Sequence, residues 1–482
     1  MTETAVPKII ATASAGDPVD LRRVHFVGIG GAGMLPLARV CAERGFTVSG
    51  SDMRQTKALE VLAGLGVRVH TGHAATQVPA DATAVVFTHA LDEDNPELQA
   101  AREHGVPLVH RSTVLNALMA STTAIGVLGT HGKTSVAGML AHALTGMGHA
   151  PTYVVGGDIQ GPASGGHAGN GDVFVAEVDE SDRTHLNVHV NVAVLTNIEF
   201  DHPENYGDAS DHITGYEQFA LGMQPGGTLV LNADSRGCRE LASRLALAGR
   251  GPRLVWFGTS AHATWRVTNA VCAQGEGMAT LRGPGGAELD LTLRVPGTHQ
   301  LLNAAAATAA AHAVGLDGAG TAGCLGTFEG VARRMSPAGE VAGVRVYDSY
   351  AHHPSEITAD LAAARSLLAE DGGRVIAVFQ PAGQARHEAF GGGFAAALAD
   401  CDEVVLTGHP RVGQEAVRGL SAAVDEAGGR CRGVEWDRAT AAACAVAVAR
   451  PGDVVVLIGT GDLAEYGQAV TGELSRLVEA AA

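Results

Sequence analysis

Short apolar segments alternate with helical patterns along almost the whole chain, and this alternation limits the fold more than any other feature. It is typical of βαβ units, which build parallel sheets. The 482 residues are enough for about two to four domains. After a leader of about 20 residues, we expect three α/β domains at residues 1–121, 122–335 and 336–482. Within the second, segment 250–295 has short alternating runs that predict antiparallel strands.

The composition excludes several classes of protein. Acidic residues outnumber lysine and arginine by 51 to 33, giving a net charge of −18, and such a chain repels nucleic acids and anionic membranes. No apolar run approaches the ~20 residues that a membrane span needs, and the N-terminus lacks the pattern of a secretion signal. Seven scattered cysteines without a CxxC pair predict free thiols. We therefore expect a cytoplasmic protein without nucleic-acid or membrane partners; the oligomeric state stays open.

The strongest local motif is GTHGKTS at residues 129–135, between a buried strand and a helix with one apolar face. In that setting backbone N–H groups hold phosphate oxygens, a lysine reaches the β- and γ-phosphates, and a hydroxyl contacts Mg²⁺. The loop is a variant, because Val127 stands where the common pattern has its first glycine. The chain has only three lysines, at positions 8, 57 and 133, which argues against a chance glycine turn. The predicted phosphate-binding residues are Gly129, Thr130, His131, Gly132, Lys133, Thr134 and Ser135.

A second glycine motif, GIGGAG at residues 28–33, follows the first predicted strand, and an aspartate ends the next strand. This pattern alone is weak. It is compatible with a dinucleotide such as NAD(P), with another diphosphate, or with a purely structural turn. The candidate residues are Gly28, Gly30, Gly31, Ala32, Gly33 and Asp52.

Acidic residues and a histidine follow two further predicted strands. Glu177 lies in the C-terminal part of the strand at 172–180, and His202 follows the strand at 192–198. The carboxyl ends of parallel strands form the edge where open α/β sheets bind ligands. These side chains are therefore candidates to hold Mg²⁺ beside a triphosphate, although each acid alone is equally compatible with a solvated loop charge.

Together these motifs resemble the Mur ligase family over nearly the whole chain. Each matching segment is several residues long, and their order is that of the family. The matching segments are HFVGIGGAGM (25–34), GTHGKTS (129–135), AEVDESD (176–182), TNIEFDH (196–202), PGTHQLLNAAAA (296–307), FEGVARRM (328–335) and YDSYAHHPSEI (347–357).

The resemblance implies a Rossmann-like N-terminal domain, a central P-loop ATPase α/β domain and a C-terminal Rossmann-like domain. It implies an ATP-dependent ligase that joins L-alanine to the carboxylate of UDP-N-acetylmuramate through an acyl phosphate. The loop at 28–33 would then bind the UDP-sugar rather than NAD(P). Such chemistry depends on positioning and on neutralising charge.

Residue roles are implied in the same way. Lys133 would neutralise the β- and γ-phosphates of ATP, while Thr134 and Glu177 bind one Mg²⁺ and His202 a second. The other residues implied at ATP are His299 and Asn303 near adenine, and Arg333, Arg334 and Asp348 after domain closure. The residues implied on the amino-acid side are His352 and Arg386.

The chain departs from the family pattern in the third domain. Segments 379–386 (FQPAGQAR) and 407–410 (TGHP) differ from the usual alanine-ligase sequences where the amino acid should lie. Sister enzymes carry a carbamylated lysine about fifteen residues after the histidine; here no lysine follows Lys133, and Glu217 stands at that spacing. A relative using another amino acid or a peptide stays open, as do an NAD(P)-dependent oxidoreductase and a non-catalytic nucleotide-binding scaffold.

Overall fold

The computed structural model describes residues 19–159, 165–369, 372–461 and 463–481. The strands of these residues form three separate sheets, each flanked by helices. Almost the whole predicted leader lies outside the described residues. A search of the described helices finds none with the length and apolarity to cross a membrane.

The first sheet is fully parallel and has the strand order β3-β2-β1-β4-β5. Its elements are β1 (Arg23–Val27), α1 (Leu35–Glu43), β2 (Thr47–Asp52), α2 (Lys57–Gly64), β3 (Arg68–Thr71), β4 (Ala84–Phe87), α3 (Pro96–Glu103), β5 (Leu108–His110) and α4 (Arg111–Met119). Strands are added on one side of β1 up to β3 and on its other side from β4 onward, so β1 and the loop that follows it lie at the switch point where such sheets bind ligands.

The second sheet has ten strands in the order β15-β14-β13-β12-β11-β10-β6-β9-β7-β8. Its strands are β6 (Thr123–Leu128), β7 (Thr152–Val154), β8 (Gly166–His167), β9 (Val173–Glu177), β10 (Val192–Leu195), β11 (Thr228–Asn232), β12 (Arg253–Gly258), β13 (Trp265–Ala273), β14 (Glu276–Arg282) and β15 (Glu288–Leu293). Its helices are α5 (Lys133–Gly146), α6 (Ala209–Leu221), α7 (Arg236–Ala248), α8 (Thr298–Ala313) and α9 (Gly318–Leu325).

The third sheet has the order β16-β17-β21-β18-β19-β20 and is parallel apart from the β16–β17 hairpin. Its strands are β16 (Arg334–Val341), β17 (Val344–Ser349), β18 (Val375–Phe379), β19 (Glu403–Thr407), β20 (Cys431–Glu435) and β21 (Val454–Ile458). Its helices are α10 (Pro354–Leu367), α11 (Gln384–Leu398), α12 (Gln414–Glu426), α13 (Arg438–Val448) and α14 (Leu463–Ala481). The predicted boundary after residue 335 falls inside β16; the domain boundaries stay predictions.

Two local predictions are wrong in part. Segment 250–295 was expected to be antiparallel, which is confirmed for β13, β14 and β15, but β12 pairs in parallel with β11 and β13. The second error concerns α5, for which the periodicity predicts one apolar face. Nearly all of α5 is buried, because the helix lies between the sheet and helices α8 and α9.

Candidate active site

The GTHGKTS motif forms a loop between β6 and α5, the strand–loop–helix arrangement that the sequence predicts, and it is called the phosphate loop here after its predicted role. Gly129 has a φ of +114°, and a Cβ there would lie 2.3 Å from the Thr196 hydroxyl, so only glycine fits. Gly132 has a φ of +83°, and its missing Cβ leaves room for the Asn303 side chain of α8. The first helical residue is Lys133, so the N-terminal N–H groups of α5 open toward the loop.

The ammonium of Lys133 lies behind this loop. It donates hydrogen bonds to the backbone oxygens of Gly129 (2.6 Å) and Thr130 (3.1 Å), and it pairs with Glu180 at 2.9 Å. Burial lowers the pKa of Lys133, but the carboxylates of Glu180 and Asp179 outweigh burial and raise it. The lysine is therefore a protonated, fixed cation at neutral pH.

Three parts of the chain meet at the hydroxyl of Thr134. This hydroxyl donates to Glu177 at the end of β9 over 2.9 Å, and it accepts a hydrogen bond from Arg334 of β16 over 3.0 Å. The other carboxylate oxygen of Glu177 accepts from the Gly156 N–H at 2.6 Å. The site thus combines hard oxygen donors with a guanidinium that comes from the third sheet.

His202 lies in a second charged group after β10, where it adopts a φ of +56°. Its ring is 3.5 Å from Asp201 and 3.2 Å from Glu204. Arg386, in the first turn of α11, forms two hydrogen bonds with Asp201 (2.8 and 3.0 Å) and lies 3.3 Å from both ring nitrogens. Burial lowers the pKa of His202, but Glu204 and Asp201 raise it above its usual value.

His131 links the phosphate loop to α10 of the third sheet. Its ring nitrogens lie 3.3 Å from Glu356 and 3.5 Å from Glu199, and its ring packs on that of His353 with centroids 4.5 Å apart. Ser355 donates to Glu199 at 2.6 Å. These contacts hold α10 against the edge of the second sheet that carries the loop.

The GIGGAG loop follows β1 and precedes α1. The Gly30 N–H donates to the Asp52 carboxylate over 2.9 Å, so Asp52 fixes the loop from the end of β2. A Cβ on Gly33 would lie 2.7 Å from the Arg111 guanidinium. Arg111 in turn pairs with Asp179 (3.1 Å) and Asp182 (3.3 Å) after β9.

A cleft of about 1980 Å³ lies between the GIGGAG loop and the loops that follow β9 and β10. The GIGGAG loop lines one side, and the loops after β9 and β10 line the other, through Asp179, Asp182 and Glu204. The cleft is therefore large enough for a sugar nucleotide that reaches from the first sheet to the edge of the second.

The remaining predicted residues lie at the start of α8, just before β16 and on β17. Arg333 is 3.5 Å from Asp348 and donates to the Gly459 oxygen at 2.7 Å. The ring of His299, at the start of α8, lies 3.9 Å from the Asp360 carboxylate. Burial lowers the pKa of His299 to about 4.

Two further residues singled out in the sequence, His352 and Glu217, contact polar or charged groups. His352 contacts the backbone oxygen of Tyr350 (2.9 Å) and the carboxylate of Glu356 (3.4 Å). Glu217 lies on α6, with its carboxylate 3.8 Å from Arg244 of α7. Glu217 therefore belongs to an ion pair between two helices.

Sequence reasoning missed Arg111 and assigned no separate roles to Glu180 and Asp201, which lie in the acidic segments after two predicted strands. Arg111 begins a helix after a short strand, where no motif marks it. Glu180 and Asp201 lie inside segments that resemble the family, and their position after parallel strands was the available signal. The sequence does not show which residue each of these charged side chains pairs with.

The fold and the site define an α/β protein with the GIGGAG loop on one sheet and the GTHGKTS loop on the next, where an arginine from a third sheet reaches Thr134. The chain belongs to the Mur ligase family. Its models match residues 23–123 (Mur ligase family, catalytic domain), 127–311 (Mur ligase middle domain) and 333–461 (Mur ligase, glutamate ligase domain). This membership leaves the oxidoreductase alternative without support, since that alternative rested on the GIGGAG loop alone.

Individual relatives match along nearly their whole length. The UDP-N-acetylmuramate–L-alanine ligase of Streptomyces avermitilis is 42% identical over 96% of this chain and 99% of its own. The enzyme of that name from Thermobifida fusca is 41% identical over 94% of this chain and 97% of its own. The crystal structure of UDP-N-acetylmuramate-alanine ligase from Thermotoga maritima has a TM-score of 0.79 and 29% identity, covering 94% of this chain and 99% of that one.

Proposed function

We propose that this protein is an ATP-dependent ligase that joins L-alanine to the carboxylate of UDP-N-acetylmuramate in peptidoglycan precursor synthesis. The names of the full-length relatives support the substrates. The observation that carries the chemistry is the meeting of Lys133, Thr134, Glu177 and Arg334, from three separate parts of the chain, at one edge of the second sheet. Such a grouping of cations and hard oxygen ligands suits phosphoryl transfer.

In this proposal the loop at 129–135 holds the phosphates of ATP. The N–H groups at the start of α5 contact phosphate oxygens, and Lys133 exchanges a backbone oxygen for a phosphate oxygen. Asn303 of α8 lies close to Gly132 of the loop, and Asn303 and His299, on the same helix, are the proposed contacts near adenine. Arg333 and Arg334 approach from the third sheet, with Asp348 beside Arg333.

The residues present fit a magnesium ion bound with ATP. Thr134 offers a hydroxyl and Glu177 a carboxylate, the oxygen ligands that Mg²⁺ prefers, and His202 is the proposed ligand of a second ion. The guanidinium of Arg386 near both His202 ring nitrogens competes with that second ion. When bound, Mg²⁺ neutralises phosphate charge.

The chain's own residues position the reactants. The cleft at the GIGGAG loop takes the UDP-sugar, with Arg111 as a cation below the loop. A carboxylate oxygen of the sugar attacks the γ-phosphorus and ADP leaves, which gives an acyl phosphate. The amine of the amino acid then attacks the acyl carbon, phosphate leaves, and the nitrogen loses its proton. His352 and Arg386 are the proposed contacts on the amino-acid side.

The test is substitution of the phosphate-loop lysine. We expect Lys133→Ala to abolish ligation and ATP-dependent phosphate release while UDP-N-acetylmuramate still binds in calorimetry, because the two sites lie on different sheets. Lys57→Ala is the matched control, since Lys57 is exposed on α2. Full ligation by Lys133→Ala would refute the proposal.

The acceptor is tested separately, because segments 379–386 and 407–410 depart from the alanine-ligase pattern. Phosphate release is measured with ATP, UDP-N-acetylmuramate and a panel of amino acids and short peptides. We expect L-alanine to give the highest kcat/KM. A higher value for another amino acid or peptide would reassign the acceptor while keeping the ligase chemistry.

The domain boundaries at 121/122 and 335/336 and a cytoplasmic location belong to the same proposal. The seven cysteines are all free thiols, which supports a reducing compartment. ATP and UDP-sugars are the small-molecule partners that the proposal requires.

A further inference from the structure

Behind Lys133 lies a group of buried polar side chains that the proposed reaction does not use, here called the polar cluster: Glu180, His185, Tyr206, His212 and Tyr216. None of the five side chains is more than 1% exposed. His212 and Tyr216 lie one turn apart on α6. His185 lies in a short 3₁₀ helix, Thr184–Asn187, and Tyr206 precedes α6.

The cluster is continuous and reaches the phosphate loop. The ring of His212 lies 4.3 Å from that of Tyr206 and 5.2 Å from that of Tyr216, between ring centroids. The ring of His185 lies 5.4 Å from that of Tyr216. The Tyr206 hydroxyl donates to the backbone oxygen of Glu180 at 2.7 Å, and one carboxylate oxygen of Glu180 pairs with Lys133.

Several polar atoms of the cluster have no hydrogen-bond partner among the described residues. They are the Tyr216 hydroxyl, the second carboxylate oxygen of Glu180 and the ring nitrogens of His185 and His212. Backbone groups of Gly215 and Glu199 lie near one ring each, which accounts for one nitrogen per ring at most. Native structures rarely leave buried polar atoms unpaired, because each loses its hydration without compensation.

The chemistry of these atoms selects water over a metal ion. Burial lowers the pKa of both histidines to about 4, so each ring is neutral, with one donor and one acceptor nitrogen. The two rings, the Tyr216 hydroxyl and the Glu180 carboxylate together offer both hydrogen-bond donors and acceptors. Such a combination suits a water molecule, which makes roughly three hydrogen bonds. Among the described residues, the two groups spaced to hold a metal ion include no member of the cluster.

We propose that His185, His212 and Tyr216 enclose a site for ordered water that bonds to the free oxygen of Glu180 and so positions the ammonium of Lys133 for phosphate. The three residues are thus positioning residues that act through Glu180. The inference rests on the proposed function only in taking Lys133 as the phosphate-binding lysine.

The test is Tyr216→Phe, which removes one hydroxyl and keeps the ring. Binding of AMP-PNP with Mg²⁺ is measured by calorimetry, and thermal stability by differential scanning calorimetry, both without acceptor substrates. We expect the Kd for AMP-PNP to rise about 3- to 10-fold, the effect of losing one hydrogen bond, with no gain in melting temperature. Tyr153→Phe is the matched control, since Tyr153 is a buried tyrosine on β7 of the second sheet and lies outside the polar cluster.

If the polar cluster holds no water, Tyr216→Phe should have the opposite effect on the melting temperature. Removing an unpaired hydroxyl would then raise the melting temperature, and that outcome overturns the proposal whatever the Kd. Unchanged AMP-PNP affinity overturns the positioning role. A high-resolution crystal structure gives the direct readout, a water within about 3.2 Å of the Tyr216 hydroxyl and of Glu180, and its absence also overturns the proposal. If AMP-PNP binds as expected but no ligation occurs, only the proposed function fails.

Discussion

His131 should make the stability of the protein depend on pH between about 6.5 and 9. Its ring lies between the carboxylates of Glu356 and Glu199 and is only 13% exposed. Burial lowers its pKa, but the two carboxylates outweigh burial and raise it to about 9. The His131 ring, 3.5 Å away, is the largest cause that lowers the pKa of Glu199 to about 2, so that carboxylate stays ionised throughout this range.

The magnitude follows from the two pKa values of the histidine. The folded pKa of about 9 exceeds the unfolded value of 6.5, so the folded state binds the proton more tightly. The resulting stabilisation is fully present below pH 6.5 and is lost as the pH rises through 9. It amounts to about 3 kcal/mol, which corresponds to about 6 to 12 °C in melting temperature for a domain of 150–250 residues.

The assay compares melting temperatures of the wild type and His131→Gln by differential scanning calorimetry between pH 6 and 10. Glutamine keeps a polar side chain but carries no charge. We expect the wild type to be more stable than the variant at pH 6, and this difference to shrink toward pH 10. His104→Gln, at an exposed histidine after α3, controls for general effects. Parallel profiles of wild type and His131→Gln would refute the charge argument.

Two further substitutions test buried carboxyl groups. Burial raises the pKa of Asp360 from 3.8 to about 7. The free energy of unfolding of the wild type should therefore fall by up to about 4 kcal/mol relative to that of Asp360→Asn as the pH rises from 4 to 8. Urea denaturation at both pH values measures this difference, and an equal fall in both proteins would count against the argument. Arg386→Met leaves the buried Asp201 carboxylate without its guanidinium and should destabilise the protein by about 3–5 kcal/mol. The double variant Asp201→Asn/Arg386→Met should recover part of that loss, whereas additive losses would show that the pair is not coupled.

The local parts of the site could be predicted from the sequence because their physical requirements are local. A phosphate loop needs glycines in left-handed conformations after a strand and before a helix, and Gly129 and Gly132 meet this need. The same reasoning located the GIGGAG loop. The apolar run at 172–180 located strand β9, although the strand ends earlier, at Glu177. Hydrophobic periodicity was less informative for α5, because a helix covered on both sides loses the polar face that makes the period visible.

The partners of the buried charges could not be predicted, because they are set by how the sheets pack. Arg334 meets Thr134 across 200 residues of sequence, and Arg386 meets Asp201 across 185. A buried guanidinium requires a carboxylate, but 51 acidic residues offer many choices and no periodicity selects one.

The pairing of Arg386 with Asp201 restricts the proposed role of Arg386 as a contact for the amino acid. Its guanidinium already holds the Asp201 carboxylate with two hydrogen bonds, the geometry with which an arginine would also hold the carboxylate of an amino acid. Both carboxylates cannot take the same two donors at once. If Arg386 binds the acceptor, Asp201 must give up one bond, and Asp201→Asn, whose amide competes less well, should lower the KM for the amino acid. If Arg386 only joins α11 to the loop after β10, the same variant should leave that KM unchanged or raise it.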